Sequence, residues 1–370
     1  MEYKAFKDIK LSRLGMGNMR LPNIEPGNPS SPIDHKKAHE VIEAAYLAGI
    51  NYFDTAYVYN GGDSETCVGE WMKKHDRSAF YIATKWHLAA NADYKAVFEE
   101  QLRRLQTSYI DFYLIHCLTD GSIDDYLKSG GIEFFLEMKR QGKIKYLGFS
   151  SHAGVATLEK FADHHQWDFA QLQINYYDWN FSETAKEYQI LKDRNIPIMV
   201  MEPVRGGKLA KLNDKAEALL RTKHPDWSDA SWAFRFVKSL DQTAVILSGM
   251  NTLEQVKDNV ATFSDNYKFT KDDEATLFEA ANLFKKNLVV PCTACRYCTD
   301  TCPMGINIPE FFKFYNAYKL NGAWGLDGID KVDSTSLPEA CLHCNTCVPL
   351  CPQKIDIPAK LAELAEFMKK

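Results

Sequence analysis

The sequence lacks several features that would assign it to a membrane or nucleic-acid-binding class. No apolar run approaches the roughly 20 residues that span a bilayer, so the sequence predicts no membrane-spanning segment and no membrane partner. Lysine and arginine (44) do not exceed aspartate and glutamate (49), the net charge is −5 and the isoelectric point is about 6.1. This balance provides no basic surface for nucleic acid. The composition therefore predicts a cytoplasmic enzyme.

Two common nucleotide-binding motifs are also missing. A doubly wound nucleotide-binding sheet carries GxGxxG after its first strand, but here GMG at 15–17 is followed by NMR, and the fingerprint fails. GGK at 206–208 lacks both the upstream glycine and the following Ser or Thr of a phosphate-binding Walker A loop. A fold of another kind must bind any nucleotide.

Cysteine is scarce in most of the chain. Outside two short cysteine-rich runs, only Cys67 and Cys117 occur. The opening MEYKAFKDIK has no apolar segment of a signal peptide, so a secreted disulfide framework is not expected. Cys67 lies in a helical pattern and is predicted to be a small buried hydrophobe.

The remaining eight cysteines form two runs that each read CxxCxxCxxxCP, which is the bacterial ferredoxin spacing. In that arrangement three thiolates of one run hold a [4Fe-4S] cluster and the fourth serves the other cluster. Zinc needs only two CxxC pairs and would leave the third cysteine and the closing CP unexplained. The first predicted set is Cys292, Cys295, Cys298 and Cys351. The second predicted set is Cys341, Cys344, Cys347 and Cys302.

The chain before the cysteine runs alternates β-rich segments with amphipathic helical ones. Eight such β-then-α units predict a (β/α)8 TIM barrel, and MEYKAFKDIKLS predicts a hairpin beneath it. The expected helix N-caps are Asp34, Ser64, Ser182 and Thr252. The aromatic insert between the cysteine runs predicts a small, mainly α-helical ferredoxin-like domain. The predicted domains are the barrel at 1–265, a bridging helix at 266–287 and the two-cluster domain at 288–370.

Three polar residues end consecutive predicted barrel strands, namely Asp54, Lys85 and His116. Because barrel enzymes place their chemistry at the carboxyl ends of the strands, these side chains should converge. Tyr59 follows in the loop after Asp54. An ammonium beside a phenol favours the phenolate and makes the tyrosine a better acid, so the group could deliver a proton to a carbonyl oxygen that accepts hydride. The alternative is a structural ion pair beside a core histidine.

The stretch GINYFDTAYVYNGGDSE (49–65), the ATK ending at Lys85, YIDFYLIH ending at His116 and GFSSH at 148–152 resemble the aldo-keto reductases. The resemblance covers roughly residues 5–262. It implies a catalytic tetrad of Asp54, Tyr59, Lys85 and His116, with Tyr59 as general acid.

The resemblance also implies a nicotinamide cofactor, NADP(H) or NAD(H), at the barrel mouth. The implied contact residues are Ser150, Ser151, Gln173, Gly249, Gln255, Asp258 and Asn259. Two positions depart from the family pattern. Met201 or Glu202 stands where an aromatic usually stacks on the nicotinamide, and Gln255 replaces an arginine that often grips the 2′-phosphate. Arg205 and Lys208 could supply compensating charge, or could equally be solvated surface residues, the commoner position of Lys and Arg.

Three functional hypotheses follow from these features. The favoured one is an NAD(P)H-dependent reductase of a small carbonyl, or the reverse oxidation of an alcohol, with clusters that do not supply its electrons. The second is a reductase fed by a ferredoxin-type carrier through the clusters and a flavin, although no flavin motif is present. The third is a nucleotide-sensing module without turnover, which the complete tetrad disfavours. Aromatic residues expected near the substrate pocket are Tyr57, Trp86, His87 and Trp179.

Overall fold

The computed structural model describes residues 1–25, 31–285, 289–321, 325, 326 and 328–369. Contacts divide the chain into two compact units. The first comprises Met1–Val204 and Trp227–Glu274, and the second comprises Arg205–Asp226 and Ala275–Lys370.

The first unit is built around a closed barrel of eight parallel strands, with an antiparallel hairpin of β1 (Tyr3–Phe6) and β2 (Ile9–Ser12). The barrel strands are β3 (Leu14–Gly17), β4 (Tyr52–Asp54), β5 (Tyr81–Trp86), β6 (Ile110–Leu118), β7 (Ile144–Ser151), β8 (Phe169–Gln173), β9 (Ile198–Met201) and β10 (Thr243–Ser248). They follow chain order around the barrel, and β10 closes it against β3. The predicted TIM barrel and its hairpin are confirmed.

Fourteen α-helices occur in the described part of the chain. They are α1 (His35–Leu47), α2 (Asp63–Met72), α3 (Tyr94–Leu105), α4 (Ile123–Lys128), α5 (Gly131–Arg140), α6 (Val155–His164), α7 (Tyr176–Phe181), α8 (Thr184–Asp193), α9 (Asp214–Lys223), α10 (Asp229–Lys238), α11 (Leu253–Ser264), α12 (Lys271–Lys285), α13 (Ile308–Asn321) and α14 (Ile357–Met368). Among the described residues, none of these helices is both long and apolar enough to cross a membrane.

Two of the four expected N-caps are observed. Asp34 and Thr252 accept hydrogen bonds from backbone N–H groups in the first turns of α1 and α11. Ser64 is not a cap, because α2 already begins at Asp63 after a glycine turn, and the Ser64 hydroxyl donates to the carbonyl of Asn18. Ser182 is not a cap either: it ends α7 and donates to the carbonyl of Asp178.

The barrel interior follows the two-residue alternation of strand side chains. A buried apolar cluster fills it and includes Tyr52, Ala83, Phe112, Leu114, Phe169, Met199, Val245 and Leu247. Phe6 and Leu11 of the hairpin join this cluster, and the Phe6 ring lies 5.4 Å from that of Phe112. Residues two positions further along the same strands must also face inward, above this apolar layer.

The second unit has its own apolar core, formed by residues from the cysteine segments and from α13 and α14. Tyr318 of α13 stacks on Phe367 of α14, with ring centroids 4.2 Å apart. The expected mainly helical cluster domain is confirmed in this form. Residues 286–288, where the bridging helix was expected to end and the cluster domain to begin, lie outside the described residues, and the domain boundaries stay predictions. The sequence did not anticipate that 205–226, which follows β9, groups with the second unit.

Candidate active site and candidate cluster sites

The structure brings together the three polar residues predicted at the strand ends. Asp54, Lys85 and His116 each lie two residues after an interior apolar residue, on the neighbouring strands β4, β5 and β6. The ammonium of Lys85 lies 2.6 Å from Asp54 Oδ1 and donates a second hydrogen bond to the carbonyl of Thr55 at 2.6 Å. Lys85 is fully buried and Asp54 is 2% exposed. The barrel thus holds an ion pair at the carboxyl end of its interior.

Tyr59 reaches the same place from a 3₁₀ turn, Tyr59–Gly62, in the loop after β4. The ammonium of Lys85 lies 4.9 Å from the centroid of the Tyr59 ring, and that ring meets the imidazole of His116 edge-on at 5.8 Å. The turn depends on Gly62, where φ is +92° and an added Cβ would lie 2.3 Å from the guanidinium of Arg104. All four predicted tetrad residues therefore line one space, while their catalytic roles stay predictions.

Burial governs the electrostatics of this group. Desolvation raises the pKa of Asp54 and lowers that of Lys85, and in each case the charge and hydrogen bond of the partner act in the opposite sense. For His116, burial together with the nearby His87, Lys85 and His152 holds the pKa well below its usual value. His116 is therefore a neutral imidazole at neutral pH and can serve as a hydrogen-bonding group without carrying charge.

A feature that the sequence did not reveal lies next to His116. The pairing of β6 with β7 shifts register between Ile115 and Leu118, and Cys117 has a left-handed φ of +58°. The N–H of Cys117 donates to Ser150 Oγ at 2.8 Å, which helps to hold this unfavourable conformation. Bulges of this kind redirect side chains beside active sites. No residue-type pattern marks such a bulge.

A second unanticipated feature is the buried carboxylate of Glu65 on α2. It accepts hydrogen bonds from Thr84 Oγ1 (2.5 Å), Gln101 Nε2 (2.9 Å) and Arg104 Nη1 (3.1 Å). Thr84 precedes Lys85 on β5, and Gln101 also donates to the Lys85 carbonyl. This network braces the outer side of the strand that carries the ammonium. Glu65 lies in the stretch quoted for the resemblance, so its position was visible although its role was not.

The residues expected near the nicotinamide surround the same barrel end. Ser150 and Ser151 close β7, and Gln173 closes β8 and donates to Asp178 Oδ2 at 2.7 Å. Met201 continues the inward alternation of β9 and accepts a hydrogen bond from Gln171 through its sulfur. Met201 and Glu202 were the two residues expected in place of the aromatic that usually stacks on the nicotinamide, and Met201 is the one whose position in β9 faces the barrel interior. The amide oxygen of Gln171 is buried and has no hydrogen-bond partner among the described residues.

The residues expected at the adenosine end lie after β10. Gln255 is exposed and its side-chain oxygen accepts from Asn251 N at 2.8 Å. Asp258 accepts from Ser228 Oγ at 2.7 Å, whereas Asn259 is buried and donates to Ser248 Oγ at 3.0 Å. These contacts show that Asn259 also supports the end of β10.

Gly249 begins the same loop after β10. A Cβ built on it would lie 3.5 Å from Arg20, which ends the turn after β3. The aliphatic stem of Arg20 therefore packs beside the predicted nucleotide loop.

Two of the aromatic residues expected near the substrate pocket, Trp86 and His87, face opposite sides of the barrel wall. Trp86 was wrongly predicted there: it is fully buried on the outer side of β5 and packs against Tyr94, Tyr126 and Phe135. The reason is alternation, because Trp86 follows the inward-facing Lys85. His87 shares the inward side, and its ring lies 5.3 Å from that of His116.

The eight clustered cysteines line two separate cavities in the second unit. The cysteines that line one cavity are Cys292, Cys295, Cys298 and Cys351, and those that line the other are Cys302, Cys341, Cys344 and Cys347. These are the two crosswise sets predicted from spacing. Burial raises the pKa of the Cys347 thiol to about 11, so a cationic group is needed to keep a thiolate there. The residues fit two [4Fe-4S] clusters, and the ligation itself stays a prediction.

Arg205 supports the first of these cavities. It is 3% exposed and donates to the carbonyl of Pro291 at 3.1 Å and to Gln353 Oε1 at 2.7 Å. Pro291 precedes the first cysteine run, and Gln353 lines the cavity. The guanidinium is therefore held by residues beside a predicted cluster, a position that the sequence analysis did not foresee.

Comparison with known proteins agrees with this architecture. Residues 13–282 match the model of the Aldo/keto reductase family, and residues 291–355 match that of the 4Fe-4S dicluster domain. The chain belongs to the aldo/keto reductase family. It is an oxidoreductase of this family that carries a 4Fe-4S dicluster domain.

Relatives of known activity align over most of their length. The L-galactose dehydrogenase of Arabidopsis thaliana is 26% identical over 310 residues, covering 76% of this chain and 94% of the relative. The NADH-specific methylglyoxal reductase of Escherichia coli (strain K12) is 26% identical over 321 residues, covering 73% and 94%.

Solved structures show the same fold. The holo form of an aldo-keto reductase from Bacillus halodurans superposes with a TM-score of 0.63 at 26% identity, covering 76% of this chain and 96% of that one. An aldo-keto reductase from Klebsiella pneumoniae in complex with NADPH gives a TM-score of 0.60 at 18% identity, covering 77% and 96%.

Proposed function

We propose that this protein reduces a small carbonyl compound, or oxidises the corresponding alcohol, by direct hydride transfer with NAD(P)H, and that Tyr59 is the general acid. The observation that carries the proposal is the convergence of the Tyr59 ring with the buried Lys85–Asp54 pair and with His116. When bound, the reduced nicotinamide supplies the hydride. The chain's own residues must then supply the proton and hold the carbonyl oxygen.

The proposed proton donor is the Tyr59 hydroxyl. As negative charge develops on the carbonyl oxygen, the Lys85 ammonium stabilises the phenolate that remains after proton transfer. Asp54 keeps Lys85 charged in a site that would otherwise favour the neutral amine. Neutral His116 orients the substrate oxygen by a hydrogen bond. In alcohol oxidation Tyr59 takes the proton back as a base.

The cofactor is proposed to lie across the carboxyl end of the barrel. Ser150, Ser151 and Gln173 would contact the carboxamide, and Met201 would lie against the ring. The loop after β10, with Gly249, Gln255, Asp258 and Asn259, would hold the adenosine end. The unpartnered amide oxygen of Gln171 fits a site that receives a polar ligand.

The test is the substitution Tyr59→Phe. Anaerobically purified protein is assayed with NADH and with NADPH against small aldehydes, including methylglyoxal, the substrate named for one relative. The variant should lose at least about a hundredfold in kcat, the usual scale of general acid catalysis, while still binding the nucleotide. If Tyr59→Phe keeps most of its carbonyl reduction, the assigned role is wrong.

Tyr52→Phe is a matched control. Tyr52 lies on β4 two residues before Asp54, in the apolar interior, and its hydroxyl has no hydrogen-bond partner among the described residues. This variant removes a phenolic hydroxyl from β4, the strand that carries Asp54, and leaves the proposed acid Tyr59 unchanged. It should retain near-native activity.

A second function is favoured by the two four-cysteine cavities, because such clusters are one-electron carriers. In this alternative a ferredoxin-type partner feeds electrons through the clusters, and a flavin mediates their transfer to the substrate. Hydride transfer from NAD(P)H needs no such mediator, so we place the clusters outside the carbonyl reduction. Anaerobic NADPH or NADH that bleaches the cluster absorbance would favour the alternative.

A further inference from the structure

A polar cluster on the outside of the barrel is not used by the proposed reaction. His35 and His39 are four residues apart on α1, and Cys67 and Glu70 are three residues apart on α2. These spacings put each pair on one face of its helix. The ligand atoms of His35, His39 and Cys67 all lie within 4.8 Å of one another. Two packed helices thus direct two imidazoles and a thiol toward one point.

Glu70 adds a fourth ligand atom to this group. Its Oε2 lies 2.8 Å from His35 Nδ1 and 3.9 Å from His39 Nε2, so the carboxylate stands between the two rings. Asp63 Oδ1 lies 3.1 Å from His35 Nε2 and can orient that imidazole from behind. Two imidazole nitrogens, one thiolate and one carboxylate are together a ligand set that zinc accepts in tetrahedral sites.

We propose a second kind of metal site in this protein, a four-ligand site for a divalent ion of zinc type formed by His35, His39, Cys67 and Glu70. With bonds of about 2.0–2.3 Å, tetrahedral ligand atoms lie roughly 3.3–3.8 Å apart. The atoms of His35, His39 and Cys67, at most 4.8 Å apart, need shifts of about an ångström to reach this spacing, and Glu70 already contacts His35. The site ties α1 to α2, whose first turn follows the glycine turn that carries Tyr59.

The burial of the four residues suits an ion that enters from solvent. Cys67 is fully buried, the two histidine side chains are 30% and 17% exposed, and Glu70 is 44% exposed. The sulfur therefore forms the inner wall and the carboxylate the open side. Both ring nitrogens of His39 have partners, since Lys74 Nζ lies 3.3 Å from Nδ1 and the Cys67 carbonyl lies 2.9 Å from Nε2. One of these two contacts must break when the imidazole binds the ion.

Metal binding must release a proton from Cys67. On binding, the S–H bond breaks, the sulfur–metal bond forms and the proton leaves to solvent, with no change of oxidation state. Metal retention should consequently weaken as the pH falls.

The experiment uses full-length protein with its iron–sulfur clusters in place. The protein is incubated anaerobically with Zn²⁺, desalted with a weak chelator and analysed for zinc and iron by mass spectrometry. One zinc per chain should remain, and the zinc X-ray absorption spectrum should show one sulfur and three nitrogen or oxygen ligands. Zinc should also raise the thermal midpoint of unfolding, because an ion that binds only the folded state stabilises it.

Three variants define the residues. Cys67→Ser and His39→Gln should lower zinc affinity by at least about tenfold. Glu70→Gln should lower zinc affinity by a similar factor, and it should leave folding undisturbed because Glu70 lies at the exposed edge of the site. The control is His75→Gln, because His75, three residues after α2, pairs with Glu43 of α1 at 2.8 Å. This variant should retain zinc.

Several results would overturn the proposal. Zinc retained equally by Glu70→Gln, Cys67→Ser and wild-type protein would remove its basis. An all-sulfur zinc spectrum would mean that the metal occupies the ferredoxin-type cysteines. A native far-ultraviolet circular dichroism spectrum and a cooperative thermal transition of each variant show that its barrel is folded, and absence of zinc from the wild-type protein would count directly against the site.

Discussion

Replacing Lys85 by methionine should lower the free energy of unfolding of the barrel by about 3–5 kcal/mol, because it leaves a buried carboxylate without its partner. Lys85 is fully buried, Asp54 is 2% exposed, and the two are joined by a 2.6 Å hydrogen bond. Methionine keeps most of the aliphatic stem of lysine, so packing changes contribute little. The loss reflects mainly the desolvated charge of Asp54.

The loss of stability in Lys85→Met should grow as the pH rises. Burial already raises the pKa of Asp54, and Lys85 opposes that rise, so in Lys85→Met the folded-state pKa must climb further. The folded variant then binds a proton that the unfolded chain releases above about pH 4. Its stability therefore falls as pH rises through the folded-state pKa. The variant should be closer to wild type at pH 5 than at pH 8.

The assay is a urea titration followed by tryptophan fluorescence, since every tryptophan except Trp324 belongs to the first unit. The double variant Asp54→Asn with Lys85→Met removes both charges and should recover most of the lost stability with a flat pH dependence. Both variants should lose at least about a hundredfold in carbonyl reduction. Equal instability of the single and double variants, or an active Lys85→Met, would refute the account.

Three further predictions concern the second unit and the stability of the barrel. Cys302→Ala should halve the iron content of the protein. Adding Cys344→Ala, from the same predicted ligand set, should cause no further loss of iron, whereas adding Cys295→Ala, from the other set, should remove the remaining iron. Any other pattern of iron loss would contradict the crosswise ligation. Arg205→Gln should lower the reduction potential of the first cluster by on the order of 50 mV, as judged by an EPR-monitored titration, because a nearby cation favours the reduced state; an unchanged potential would contradict this. Burial raises the pKa of Asp168, but hydrogen bonds from two lysines and a backbone N–H outweigh burial and lower this pKa overall. The carboxylate therefore stabilises the fold above its unfolded-state pKa near 4 and loses that contribution as the pH falls through its folded-state pKa. Asp168→Asn should accordingly cost about 1–3 kcal/mol at pH 7 in urea denaturation and less below pH 4, and a cost independent of pH would count against this assignment.

Local sequence patterns predicted much of the architecture because barrel strands and helices have distinct periodicities. The apolar segments before Asp54, Lys85 and His116 are barrel strands, and their two-residue alternation points all three inward. The same rule, applied strictly, would have placed Trp86 outside. Cysteine spacing was equally informative, since the two cavities group the eight residues as expected.

Features that depend on tertiary contacts could not be read in this way. The left-handed Cys117 depends on a hydrogen bond to Ser150 from the next strand, and the buried Glu65 depends on partners from β5 and α3. Ser64 looked like a helix cap, but the preceding glycine turn starts the helix one residue earlier. Arg205 looked like a nucleotide contact until its acceptors in the cysteine segments were known.

The most direct test of the central claim follows the hydride itself. Reduced nicotinamide cofactor carrying deuterium at both C4 positions is mixed anaerobically with the protein and the most active aldehyde, and the alcohol is analysed by mass spectrometry. Direct transfer predicts one deuterium on the former carbonyl carbon in wild-type protein and in Tyr52→Phe, with little product from Tyr59→Phe. An alcohol formed without the label, in unlabelled water, would show that the electrons arrive by another route and would contradict the account.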